Sequence, residues 1–187
     1  LQTEFENLQL TIPNLPHESV PAGKGEEDNV ELRRVGNIPE FSFTPKDHAD
    51  LGEALGLLDF ETATKIAGSR FYFLKGSLAR LDLALQKYAV DFLTARHFTL
   101  VQPPFMMNRA AYEGVTDLRD FEDVMYKIDG EDLYLIATSE HPLTAQFMDE
   151  ILAPSGLPIR LMGLSTNFRK EAGAHGKEEK GIWRVHQ

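Results

Sequence analysis

Short strand-like segments, separated by turn residues, fill the second half of the chain. Residues 159–171 alternate so that apolar side chains share one face and mostly polar side chains the other, which is the period of a half-buried strand. The dipeptide Asp129-Gly130 stands between residues 125–128 and 132–138, and it is typical of a tight hairpin turn. Strands joined by short turns pair antiparallel, so the pattern predicts an antiparallel β-sheet.

Helical periodicity surrounds these strands. Residues 77–96 keep apolar side chains at i, i+3 and i+4 spacing, and this longest pattern fits either core or an oligomer interface. Residues 44–60 and 142–152 also predict helices, the first starting near Pro45 and Asp47. We therefore predict an α+β fold, an antiparallel β-sheet flanked by helices. Further strands are predicted at residues 30–35, 70–75, 98–102 and 181–187.

Composition narrows the kinds of function. The net charge of -10 disfavours non-specific binding to nucleic acid, because an acidic surface repels phosphates. The absence of cysteine excludes disulfides and thiolate metal sites, and mildly favours a reducing compartment. No stretch is apolar enough to predict a membrane span. Prolines and glycines in residues 11–29 predict a linker after a short helical segment at residues 1–10.

The first candidate site is the charged stretch at residues 168–187. Arg169 and Glu171 share the polar face of a strand, and a long turn follows that holds His175, Lys177 and Lys180. One interpretation is a solvated hairpin with ordinary surface charges. The other is that Arg169 binds a phosphate group and the basic turn contacts a polyanion.

The second candidate site is the Thr138-Ser139-Glu140 tripeptide, where a strand ends and a helix begins. It fits a plain helix N-cap, made by Thr138 or Ser139 and followed by a proline in the first turn. It also fits a small polar site, in which a carboxylate holds an ammonium group and hydroxyls bind a small polar ligand. The pattern leaves both interpretations open.

Taken together, these stretches resemble the seryl-tRNA synthetase family of class II aminoacyl-tRNA synthetases. The segment NLPHESVPAGKGEEDNVELRRVG resembles the entry to its catalytic domain after the helical arm, and DHADLGEALGLLDFETATKIAGSRFYFLKG also resembles the family. Residues 77–104 resemble motif 1, the dimer helix and strand, which ends at Pro104. T-S-E at residues 138–140 resembles the serine-binding T-x-E element, and residues 168–187 resemble motif 2, with F-R-x-E and then R-V-H-Q.

The resemblance implies a division of the chain and roles for its residues. Residues 1–15 would be the end of a helical tRNA-binding arm with its linker, and residues 16–187 an incomplete class II catalytic domain without motif 3. Arg169 and Glu171 would be catalytic, and Thr138, Ser139 and Glu140 would bind serine. His175, Lys177 and Lys180 would approach the acceptor end of tRNA. ATP would be bound by Arg169, Lys170, Glu171, Val185, His186 and Gln187.

The implied activity is ATP-dependent formation of seryl-adenylate and transfer of serine to tRNA(Ser), a step of translation in the cytoplasm. ATP and Mg²⁺ are the implied cofactors, with no metal site of the chain's own. A homodimer is the implied assembly, with no membrane partner. Without motif 3 we expect the chain alone to be inactive. Two alternatives remain, a synthetase-like binding or regulatory module and a ligase that charges a carrier protein.

Overall fold

The computed structural model describes residues 1–9, 11–12, 15–118, 122–171 and 181–187. The chain divides into two compact units, Leu1–Pro45 and Lys46–Gln187. This division falls later than the predicted boundary after residue 15, and the assignment of residues 1–15 to an arm stays a prediction. Within the described residues, no helix combines the length and the hydropathy needed to cross a membrane.

The first unit contains little regular structure. Among its described residues, one α-helix, α1, spans Gln2–Gln9, and a 3₁₀ turn spans Glu26–Asp28. Residues 30–35 do not form the predicted strand. The described part of the unit exposes large apolar side chains, so no buried apolar core orders these residues.

The second unit holds five α-helices in its described part. They are α2 (His48–Ala54), α3 (Phe60–Ala67), α4 (Gly76–Thr94), α5 (Arg109–Glu113) and α6 (Glu140–Ala145). Helix α4 confirms the longest predicted helix, while α6 ends earlier than predicted. The single helix predicted over residues 44–60 is wrong, because the chain turns at Gly56 with φ +68 and Asp59 caps a separate helix.

In the part of the chain that the structure describes, three pairs of short strands accompany these helices. β1 (Leu58–Asp59) pairs antiparallel with β2 (Phe73–Leu74), and β4 (Met106–Met107) pairs antiparallel with β5 (Tyr134–Leu135). β3 (Thr99–Val101) pairs in parallel with β6 (Leu161–Gly163), so the predicted all-antiparallel sheet is wrong at this pair. The long connection between β3 and β6 allows the parallel arrangement, which a short hairpin does not.

The predicted hairpin around Asp129-Gly130 is present in a short form. Gly130 has φ +77, which the tight turn requires, and Ile128 N–H donates to Leu133 O at 2.9 Å. The strand predicted over residues 159–171 is wrong beyond β6, because residues 164–171 are not assigned as a strand and Glu171 has φ +44. Residues 181–187 are also not assigned as a strand. They still run beside the 168–171 segment, because Arg169 N–H donates to His186 O at 2.9 Å.

The core lies between α5, β4 and β5. Tyr112 and Tyr134 are fully buried, and their rings meet edge to face with centroids 5.9 Å apart. Phe168 N–H donates to Ile136 O at 2.8 Å, which attaches the candidate-site segment to the core. The buried cluster consists of Met107, Tyr112, Leu118, Met125, Tyr134 and Ile136.

Candidate active site

A cavity of about 320 Å³ opens beside this core. Its polar and charged lining comes from Thr116, His141, Arg169, Glu171 and Arg184, and its apolar lining from Val124, Met125 and Ala137. The two residues predicted to be catalytic, Arg169 and Glu171, therefore face one space. Apolar walls with a few converging charges are typical of a small-molecule site.

Arg169 is held by the chain at one nitrogen. Its Nε–H donates to the carbonyl oxygen of Ala137 at 3.0 Å, directly before the T-S-E tripeptide. Among the described residues, neither Nη1 nor Nη2 of Arg169 has a hydrogen-bond partner. A guanidinium fixed at Nε and open at both Nη groups can bind a carboxylate or a phosphate through two parallel bonds.

Glu171 and Arg184 form an ion pair in the cavity wall. Arg184 Nε donates to Glu171 Oε2, and the Glu171 side chain is only 12% exposed. The pair joins the segments on either side of residues 172–180. Because Arg184 compensates the Glu171 carboxylate, the described lining residues carry an excess of one positive charge, that of Arg169. The arrangement favours an anionic ligand.

His141 lies in the wall beside Tyr112, with ring centroids 5.2 Å apart and an edge-to-face angle of 78°. Its Nδ1 atom is buried and has no partner in the described part of the chain. Burial lowers the pKa of His141; the charge of Arg169 lowers it further, and Glu140 opposes this. The neutral ring therefore adds a polar group to the cavity and no second cation.

The T-S-E tripeptide borders this cavity without lining it. Ser139 is the N-cap residue of α6 but makes no side-chain capping bond, while Glu140 N–H donates to Thr138 Oγ1 at 3.3 Å. Ser139 and Glu140 line a neighbouring hollow of about 440 Å³. A Cβ atom at Gly163 would lie 2.5 Å from Ser139 Cβ, so only glycine lets β6 pass this close to the tripeptide.

The other predicted ATP-binding residues lie around the cavity. Lys170 Nζ lies 5.9 Å from the centre of the Tyr126 ring, and His186 stacks on Phe71 at 5.2 Å. Gln187 lines a separate polar hollow. The cavity lining does not include Lys170, Val185, His186 or Gln187.

Some predictions fall where the structure offers little or no description. His175, Lys177 and Lys180, predicted to approach tRNA, lie outside the described residues. Pro104 follows β3 and is exposed. In the described ranges, no group of three or more His, Asp or Glu side chains could hold a metal ion.

The sequence predictions missed three polar residues of the cavity lining, Arg184, His141 and Thr116. Arg184 could have been found by asking which cation on the return segment faces Glu171, since opposite charges commonly pair across neighbouring segments. His141 directly follows Glu140 in the first turn of α6, so its place beside the tripeptide was available from sequence. Its burial against Tyr112 depends on a long-range contact and could not be predicted.

The chain is similar in sequence to known proteins over its whole length. Residues 123–187 match the tRNA synthetase class II core domain family (G, H, P, S and T). The serine–tRNA ligase of Methanoculleus marisnigri is 58% identical over 194 aligned positions, which cover 100% of this chain and 46% of that protein. The chain thus spans less than half the length of this curated relative.

Solved structures give the same result for the fold. The crystal structure of seryl-tRNA synthetase from Pyrococcus horikoshii, complexed with ATP, matches 99% of this chain and 46% of its own with a TM-score of 0.94 and 43% identity. The cytoplasmic serine–tRNA ligase from Naegleria fowleri, in complex with AMP, matches 99% of this chain and 44% of its own with a TM-score of 0.90 and 41% identity. Sequence and fold together place the chain in the seryl-tRNA synthetase family, as a match to part of the length of its members.

Proposed function

We propose that the full-length protein activates serine with ATP and transfers it to tRNA(Ser). The observation that carries the proposal is Arg169, which lines the cavity and is anchored to Ala137 through Nε, with neither Nη group bonded to any residue that the structure describes. Relatives named serine–tRNA ligase support the substrate, and the ATP and AMP complexes of two relatives support the nucleotide. The chain supplies the positive charge that such a reaction needs.

In the proposed first step, a serine carboxylate oxygen attacks the α-phosphorus of ATP. A new P–O bond forms, the bond to the β-phosphate oxygen breaks, and seryl-adenylate and pyrophosphate result. Arg169 would bind the α-phosphate and stabilise the charge that builds up there. The Glu171–Arg184 pair would fix the wall against which the nucleotide lies. Holding two reactants in line is the main requirement, so the step needs no protein nucleophile.

Serine recognition is proposed for Thr138, Ser139 and Glu140. Their support is their place directly after Ala137, whose carbonyl holds Arg169. Glu140 would accept hydrogen bonds from the ammonium group, and the hydroxyls of Thr138 and Ser139 would face the polar end of the substrate. A site that hydrogen-bonds a substrate hydroxyl discriminates strongly against analogues that lack it.

In the second proposed step, the terminal ribose hydroxyl of tRNA(Ser) attacks the seryl carbonyl carbon and AMP leaves. His175, Lys177 and Lys180 are proposed to approach the acceptor end, and Lys170, Val185, His186 and Gln187 to border ATP. The described residues contain no metal cluster of their own, so they do not show a fit to Mg²⁺, and no step here depends on it. A cytoplasmic setting and a homodimer complete the proposal.

The test is serine-dependent exchange of labelled pyrophosphate into ATP by the full-length protein, followed by charging of tRNA(Ser). We expect exchange with serine and at least about 100-fold less with threonine or glycine. Exchange without tRNA charging would instead favour a ligase for a carrier protein, and absence of both would favour a binding or regulatory module. The 187-residue chain alone is expected to show no exchange, because it spans less than half of its relatives.

A further inference from the structure

Arg70 lies between α3 and β2, outside the cavity lining, and contacts both segments that border residues 172–180. Its Nη1 donates to the carbonyl oxygen of Glu171 at 2.5 Å. Its own carbonyl oxygen accepts from His186 N–H at 3.2 Å. One residue therefore holds the segment that carries Arg169 and Glu171 and the segment that carries Arg184.

Both ends of the Arg70–Glu171 contact have unusual backbone conformations. Arg70 has φ +65 and Glu171 has φ +44, in the left-handed region that side chains other than glycine rarely adopt. Such conformations persist where surrounding contacts enforce them, and they cluster at functional sites. The hydrogen bond between Arg70 and Glu171 joins the two strained residues directly, and is one of the contacts that hold them.

A second set of contacts connects Arg70 and Phe71, through His186, to the backbone of Arg169. Phe71 stacks on the His186 ring with centroids 5.2 Å apart and planes inclined by 27°. His186 Nδ1 donates to the carbonyl oxygen of Arg169 at 2.6 Å, and Arg169 N–H donates to His186 O at 2.9 Å. The backbone of the residue proposed to bind phosphate is thus tied to His186, which Arg70 and Phe71 hold in place.

We infer that Arg70 is a positioning residue for the nucleotide: it sets the Glu171–Arg184 pair and the backbone of Arg169 without contacting the ligand. The inference rests on the proposed function. Loss of the Arg70 side chain leaves Glu171 O without its donor and lets Glu171 leave its strained conformation. The cavity wall then loses the arrangement in which Arg169 and Arg184 face one ligand, while the T-S-E tripeptide at the start of α6 keeps its own contacts.

The experiment compares Arg70→Ala, Arg70→Lys and the control Arg160→Ala in the full-length protein. Calorimetry gives the Kd for ATP, and pyrophosphate exchange gives KM for ATP and for serine. For Arg70→Ala we expect the Kd for ATP to rise about tenfold or more, from loss of a charge-assisted bond, with serine KM within about threefold of wild type. Arg70→Lys restores most of the affinity, because a single ammonium can still donate to one carbonyl oxygen. Arg160 is exposed and is not among the residues that line the cavity, so we expect its variant to keep wild-type values.

A third measurement needs no substrate. Amide hydrogen exchange of peptides covering residues 168–171 and 181–187 becomes faster in Arg70→Ala and returns towards wild type in Arg70→Lys. The inference is overturned if Arg70→Ala changes neither the Kd for ATP nor the rate of amide hydrogen exchange. It is also overturned if the KM values for ATP and for serine rise equally and Arg70→Lys does not restore them, because that result indicates general destabilisation. Should wild type lack serine-dependent pyrophosphate exchange, the proposed function fails, while ATP affinity and amide exchange still decide on Arg70.

Discussion

Arg169 is accessible to solvent, and its guanidinium is oriented by the Ala137 carbonyl rather than by a carboxylate. A neutral carbonyl acceptor fixes the orientation of the Arg169 guanidinium without neutralising its positive charge. The nearby acid, Glu171, is instead paired with Arg184. Among the described residues of its lining, the cavity therefore contains the Arg169 cation, which is bonded to a neutral carbonyl, and the Glu171–Arg184 ion pair.

Replacing Arg169 by lysine tests this separation. Lysine keeps the charge but has no planar group that can donate to Ala137 O and grip a phosphate bidentately. We expect kcat/KM for ATP in pyrophosphate exchange to fall about 10- to 100-fold, which corresponds to loss of a charge-assisted hydrogen bond of roughly 1.5–3 kcal/mol. The matched control is Arg160→Lys, away from the cavity. A variant with wild-type kcat/KM would show that Arg169 does not bind the nucleotide.

Residue types in the charged stretch singled out Arg169 and Glu171, and both line the cavity. The period-two strand expected to put them on one face is not present at residues 164–171, where Glu171 has φ +44, so alternation does not explain their shared position. His141 and Arg184 were missed because their roles depend on Tyr112 and Glu171, which contact them from elsewhere in the chain. The binding roles of Thr138, Ser139 and Glu140 stay predictions, since two of these residues line the neighbouring hollow.

Between secondary-structure elements, Asp59 connects helices α3 and α4. Its carboxylate accepts from Thr62 N–H at 2.9 Å, which caps α3, and it also pairs with Lys75, the N-cap residue of α4. The hydrogen bond from Lys75, with those from Thr62, lowers the pKa of Asp59 from 3.8 to about 2. A lowered pKa means that the folded state favours the ionised carboxylate.

The contribution of Asp59 to the stability of the fold depends on pH. Ionised Asp59 stabilises the fold fully above its unfolded pKa near 3.8, and this contribution is lost as the pH falls towards about 2. We expect Asp59→Asn to lower the thermal unfolding midpoint at pH 6 and the gap to wild type to shrink below pH ~4. Asp132→Asn, in the exposed turn, controls for loss of a carboxylate. A gap independent of pH would show that the ion pair does not stabilise the fold.

The elements that local patterns could predict are those with a long uninterrupted period. Helix α4 could be predicted from its apolar spacing. Residues 44–60 contain the apolar positions of α2 followed by the start of β1, and the helix between them ends because the chain turns at Gly56. The parallel pairing of β3 with β6 could not be read from either strand. It joins residues about 60 positions apart, and only long-range packing selects such a partner.

At the scale of the whole molecule, α4 is the longest described helix and buries none of its residues. Leu81, Leu85 and Tyr88 are 53%, 59% and 66% exposed, and they share one helical face. An apolar stripe of this length is unusual on a free surface and is typical of an interface. The resemblance of this helix to motif 1 leads us to propose that the stripe pairs with a second subunit in a homodimer.

Leu85→Glu tests that proposal in the full-length protein. A carboxylate in the middle of a closely packed apolar interface loses its hydration without gaining a partner, so we expect the dimer dissociation constant to rise about 100-fold or more. Sedimentation velocity over a range of concentrations measures it. Lys87→Gln changes a charge on another face of α4, where Lys87 pairs with Asp91, and should leave the dimer intact. A Leu85→Glu protein that sediments as wild type would place the subunit contact elsewhere and leave the α4 stripe to cover another part of its own chain.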